Sequence, residues 1–153
     1  PVLLTRLLLP LMGGTQPSRI INVSAAGQMA IDFDDIMLKR SYDGRRACAQ
    51  SKLAEILFTL DLAEELRDAN ITVNCLHPAS FMDTPMVRQN GIRPMNSVDF
   101  GADAVIVLIV GGKLTRTTGK YFDGMREMRA HRQAYDASAR ERLRFITLDL
   151  LTL

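Results

Sequence analysis

The sequence predicts an α/β fold, a parallel sheet with flanking helices. Two short apolar runs, 19–24 and 71–76, have the length and composition of strands buried on both faces. Between them, 47–66 places Leu53, Ile56, Leu57, Leu60, Ala63 and Leu66 at a 3.6-residue period. A strand, a helix and a strand in succession imply a right-handed crossover, and ligand sites of such sheets lie beyond the carboxyl ends of the strands.

At the start, Leu3, Leu4, Leu7, Leu8 and Leu11 recur at helical spacing until Gly13-Gly14 and Pro17 stop them near Met12. Pro1 has no capping residue before it, so the expectation is a buried helix cut by a missing upstream segment. The stretch 28–46 has little periodicity and five turn-forming Asp or Gly residues, Asp32, Asp34, Asp35, Asp43 and Gly44, which reads as a long surface connection. His77-Pro78 closes the second strand, because proline ends ladder pairing. Ser97 caps an apolar helix that stops at Gly111-Gly112, and Lys120-Tyr121-Phe122 before Asp123-Gly124 is a third strand. The tail 125–153 alternates Arg with acids and ends in Phe145, Ile146, Leu148, Leu150 and Leu151, the pattern of one amphipathic helix docking its last apolar face. The domain expectation is a single partial domain over 1–153, with a core over 1–124 and a helical tail over 125–153.

Composition narrows function. The 153 residues are 47% apolar and carry a net charge of +2, which supplies no field for nucleic acid or membrane association. The basic tail lacks aromatic interleaving, and the apolar runs 2–12 and 102–110 fall short of the ~20 residues of a membrane span. Cys48, Cys75, His77 and His131 are scattered, so neither a disulfide framework nor a metal centre is expected, and a reducing cytoplasm is the expected setting.

Three ordered strings carry chemistry: Asn22-Val23-Ser24-Ala25-Ala26-Gly27 at the first strand end, Gln50-Ser51-Lys52-Leu53-Ala54 on the long helix, and Val73-Asn74-Cys75-Leu76-His77-Pro78-Ala79 at the second strand end. In order and spacing they resemble the second half of a short-chain dehydrogenase/reductase, and the tail resembles its retinol-dehydrogenase-like branch. The resemblance implies a Rossmann-like domain lacking its N-terminal nucleotide-binding half, from a family that interconverts carbonyls and secondary alcohols with NAD or NADP. Lys52 stands at the lysine position and Cys48 at that of the proton-donating tyrosine, four residues earlier. The family serine aligns with Ala25, with Ser24 flanking it; Pro78, Ala79, Phe81 and Thr84 stand where the family lines the nicotinamide.

A thiol ends roughly 4 Å short of a phenol hydroxyl. With a thiol pKa near ~8.5 against ~10 for phenol, it also tends beside an ammonium to a thiolate that cannot donate. Tyr42, ten residues before Lys52, belongs to a turn, and His77 to the rim of the strand ends. Gly13-Gly14 and Gly111-Gly112 are helix stops and not phosphate cradles.

The expectation is therefore a fragment or degenerate oxidoreductase that does not turn over and does not bind NAD or NADP by itself, with a small carbonyl or alcohol as the family substrate. The alternative is a non-catalytic binding or homodimerisation module that offers the long helix, with Phe58 and Leu62 beyond its core stripe, to a partner.

Overall fold

The structure, a computed structural model, describes residues 1–151; the predicted tail and domain reach two positions outside the described residues. Its elements are α1 (Val2–Leu8, continued by a 3₁₀ turn Leu9–Leu11), β1 (Ser18–Val23), α2 (Gly44–Glu65), β2 (Ile71–His77), α3 (Pro85–Gln89), α4 (Val98–Val110), β3 (Lys120–Asp123), β4 (Arg126–Met128) and α5 (Ala137–Leu151).

One sheet runs β1-β2-β3-β4, the first three strands parallel and β4 antiparallel to β3. Ser18 pairs with Ile71 and Val23 with Leu76, so the carboxyl ends of β1 and β2 are level. Because strand side chains alternate, one face of the sheet presents Cys75 and Tyr121 to Leu53, Ile56, Leu57 and Leu60 of α2 and to Ala139 and Leu143 of α5. The other presents Ile21, Leu76 and Phe122 to Ala104 and Leu108 of α4. Helices on both faces of the parallel strands make the architecture Rossmann-like.

Side-chain caps set the helix starts. Asp43 accepts from the Arg46 amide and starts α2 three residues before the apolar period does; Ser97 accepts from the Phe100 amide and starts α4. Gly111 ends α4, where an added Cβ would stand 2.3 Å from the Val107 carbonyl oxygen. Arg19 holds that end from the sheet, donating to the Leu108 and Gly111 carbonyls at 3.0 Å each.

Several expectations are corrected. The leucine helix α1 has no buried residue; it rides on the outside of the molecule through partly buried Leu9 and Met12 and an Arg6–Glu65 ion pair. The tail is not one helix: Gly124 takes a φ of +57°, turning the chain back as β4, and a 3₁₀ turn Arg132–Tyr135 precedes α5. Within α5 the docked residues are Ala139 and Leu143, while Phe145 and Leu150, expected on the docked face, are exposed. Leu62 is 1% exposed and packs with Ala63, Ile71 and Val73, so it belongs to the core and not to a partner surface; Phe58 packs half-buried beside it. The segment after β2, read as irregular, contains α3, opened by Thr84 capping the Val87 amide and by Pro85 in the first turn.

Candidate functional site at the strand ends

The candidate residues gather where β1 and β2 end and α2 begins. Along a parallel strand, successive residues direct their backbone groups to opposite sides. The Ser24 amide donates to the Leu76 carbonyl at 2.7 Å, so the Val23 carbonyl faces away from β2, on the open edge of β1. Lys52 reaches that carbonyl. Its Nζ donates to Val23 O at 2.9 Å and to Glu55 Oε2 at 3.2 Å, one helical turn further along α2.

Ser24 is 4% exposed, and its hydroxyl donates to the Lys52 carbonyl at 2.8 Å. The two contacts tie the end of β1 to α2 in both directions. Beneath them Asn22 donates to Thr59, which donates in turn to the Glu55 carbonyl, each at 2.8 Å. The Ala25 carbonyl accepts from Gln28 Nε2 at 3.0 Å and from the Tyr121 hydroxyl at 3.3 Å. Burial pushes that phenol up to about 12, with Asp123 adding to the effect, so Tyr121 is a neutral structural donor. Burial likewise pushes the Cys75 thiol up to about 12.

Cys48 lies exposed one turn before Lys52, its carbonyl accepting from the Ser51 hydroxyl at 2.8 Å. Tyr42 is 77% exposed in the loop. No phenol faces Lys52 among the described residues nearest it in the fold: its own polar contacts are a carbonyl and a carboxylate.

Two cavities flank this corner. Lys52, Glu55, Phe58 and Asp61 of α2, with Val2 of α1 and Arg140 and Arg144 of α5, line a largely apolar groove of about 300 Å³. Pro78 and Ala79, with His77, Asn96, Asp123 and Arg126, line a separate cavity of about 530 Å³ beyond β2 and β3. His77 shares a 3.0 Å hydrogen bond with the Ser80 hydroxyl, and burial, opposed in part by Asp123, holds its pKa below the ordinary imidazole value. Phe81 is about half exposed at a φ of +43°, and the Thr84 hydroxyl is engaged in capping α3. The structure thus brings Ser24, Ala25, Lys52 and Cys48 to one corner, and puts Pro78 and Ala79 on a different cavity with Phe81 and Thr84 in the loop beyond.

Sequence reasoning passed over Glu55, Gln28 and Tyr121. Glu55 was legible as an i+3 partner of Lys52 on the helix face. Gln28 and Tyr121 contact Ala25 only through the fold, and no local pattern announces them.

Comparison with known proteins agrees with this architecture. Residues 1–93 match the model of the short chain dehydrogenase family. Retinol dehydrogenase 13 of Mus musculus is 36% identical over 159 residues, covering 92% of this chain and 47% of that protein. Retinol dehydrogenase 14 of Homo sapiens is 35% identical over 156 residues, covering 92% and 46%. The chain therefore spans about half the length of the curated relatives it matches.

Among solved structures, the carbonyl reductase Sniffer of D. melanogaster superposes with a TM-score of 0.61 at 23% identity, covering 86% of this chain and 52% of that one. The 3-ketoacyl-(acyl-carrier-protein) reductase from Brucella melitensis complexed with NADH gives 0.57 at 24%, covering 80% and 50%. With the level ends of β1 and β2, the lysine on α2 and a family match over more than half its length, the chain belongs to the short-chain dehydrogenase family, in its retinol-dehydrogenase-like branch.

Proposed function

We propose that this chain carries the lysine corner of a carbonyl and secondary-alcohol oxidoreductase site from which the proton donor has been replaced, and that it does not catalyse that interconversion by itself. The observation behind this reading is the surroundings of Lys52: a backbone carbonyl, Glu55 and the exposed Cys48, with no phenol among them. A general acid must come within roughly 3.2 Å of the oxygen it protonates or act through one water. Ser24 is committed to the Lys52 carbonyl, and Ala25 offers no hydroxyl.

The family cofactor is NAD or NADP, and the residues present do not fit it as a pocket. The ammonium of Lys52 is held by Val23 and Glu55 on the groove side, whereas Pro78 and Ala79 face the other cavity. A pyrophosphate would need bare amides at a helix start. Gly13, at a φ of +74°, packs against Ile71, and Gly111 closes the end of α4. The substrate of this reading is a small ketone or alcohol, and free thiols at Cys48 and Cys75 suit a reducing cytoplasm.

The test is to incubate the chain with NADH or NADPH and a panel of ketones while following nicotinamide absorbance. The expected result is no consumption above the protein-free rate; sustained turnover abolished by Lys52→Met overturns the reading.

A second reading, a non-catalytic binding or homodimerisation module, is favoured by α1, whose Leu4 and Leu7 are about two-thirds exposed with no buried residue beside them. A leucine face of this kind is an association surface. Sedimentation of the chain against Leu4→Glu/Leu7→Glu tests it: a dimer dissociated by the pair supports it, and an unchanged monomer rejects it.

A further inference from the structure

The loop 24–43 joins the end of β1 to the start of α2, and two glutamines stitch it to the segment after β4. The Gln133 side chain pairs with both backbone groups of Ile31: its Oε1 accepts from the Ile31 amide at 2.6 Å and its Nε2 donates to the Ile31 carbonyl at 3.2 Å. Gln28 does the converse. Its Nε2 donates to the Ala25 carbonyl at 3.0 Å while its Oε1 accepts from the His131 amide at 2.7 Å.

Further contacts close the seam. Ile31 is buried against Ala134, Ala139 and Leu143, and Arg142 sits over the Phe33 ring at 5.0 Å and pairs with Asp34 at 3.0 Å. On its opposite side the same loop grips α2. The Met29 amide donates to the Ala49 carbonyl at 3.4 Å, the Asp32 amide to Gln50 Oε1 at 3.5 Å, and Arg46 to Asp32 at 2.7 Å.

We propose that Gln133 and Gln28 are positioning residues, and that the segment 130–135 is a strap that sets the backbone at Ala25, just beyond β1, and, through the 25–36 loop, the turns of α2 carrying Cys48 and Lys52. A loop of this length held only by exposed polar contacts opens readily. An amide side chain satisfying both backbone groups of one buried residue is the strongest fixed point such a loop has, since leaving those groups unpaired carries the full desolvation cost. Order at the lysine corner then depends on residues about a hundred positions further along the chain. The inference rests on the reading above only for which corner counts as the site; the contacts stand whatever that corner does.

Amide hydrogen exchange on the whole chain tests it, in Gln133→Ala, Gln133→Glu and Arg140→Ala. Arg140 joins α5 to Glu64 at the far end of α2, so its loss weakens α5 docking while leaving both glutamine pairs in place. Gln133→Ala is expected to speed Ile31 exchange roughly tenfold, the factor for one lost hydrogen-bonded pair. Met29 and Asp32 should follow, and the Lys52 side-chain ¹³Cε resonance should move, while β2 amides stay protected. Gln133→Glu, which keeps the acceptor for the Ile31 amide but turns a carboxylate oxygen towards the Ile31 carbonyl, is expected to speed exchange at Met29 and Asp32 and to move the Lys52 resonance as Gln133→Ala does. If Gln133→Ala frees Ile31 alone, or if Arg140→Ala produces the same pattern, the strap does not transmit and the proposal fails. Neither outcome depends on turnover, so the exchange experiment can fail while the functional reading stands, and the reverse.

Discussion

Removing the Ser24 hydroxyl by Ser24→Ala tests whether that oxygen serves the fold or a substrate. The residue is almost fully buried and its Oγ has one protein partner, the Lys52 carbonyl at 2.8 Å. Alanine keeps the Cβ and opens no cavity. The Lys52 carbonyl retains its place in the α2 ladder, so only the net value of one hydrogen bond is lost, about 1 kcal/mol. A chain of this length unfolds with an entropy near ~0.3 kcal/mol per degree, which converts the loss to a fall in Tm of about 3 °C. Urea unfolding followed by far-ultraviolet circular dichroism gives the free energy directly, and an unchanged m value shows that the unfolded state is the same. A loss under about 0.3 kcal/mol would mean that the hydroxyl is not engaged with α2 and is free for a ligand, refuting the structural role assigned to it.

Three further outcomes are expected. A thiol reagent at neutral pH should label Cys48 rapidly and Cys75 only after denaturation, because the buried thiol is held protonated up to about 12; rapid labelling of both without denaturant would contradict the core described. For His77, burial lowers the folded-state pKa below the ordinary ~6.5. The folded state therefore binds fewer protons, and this contribution to stability is complete above ~6.5 and is lost as pH falls through the folded pKa. His77→Gln should flatten the urea midpoint against pH below ~6.5, a window separate from those of the lowered carboxylates Asp32, Glu65 and Asp83; an unchanged slope refutes it. Thr59→Val should destabilise by about 1–3 kcal/mol, since it leaves the buried Asn22 amide without its acceptor, and a neutral result in urea unfolding would exclude that network.

The parallel strands and α2 were legible because their signals are local: unbroken apolar runs, a long 3.6-residue period, and Ser97 and Gly111 marking both ends of α4. The β3–β4 hairpin was hidden because the exposed residues Arg126 to Met128 carry no apolar alternation, and only the positive φ of Gly124 turns the chain back. The fate of the leucines in α1 was illegible for the opposite reason. A periodic apolar stripe says that a face seeks cover, and cannot say whether this chain supplies it. At the site, Cys48 and Lys52 share one helical period, and that spacing alone puts them a turn apart on the same face. The separation of Lys52 from Pro78 and Ala79, and the seam from Ile31 to Gln133, depend on contacts between distant segments that no periodicity encodes.

The most direct measurement begins from Cys48→Tyr, which sets a phenol one turn from the ammonium on α2. Ultraviolet difference titration of the introduced phenol should place it up to about half a unit below the ordinary ~10, as the exposed ammonium several ångströms away stabilises phenolate against the opposing Glu55 carboxylate, and adding Lys52→Met should raise it again. A phenol titrating at or above ~10, and indifferent to Lys52, would contradict the lysine corner itself.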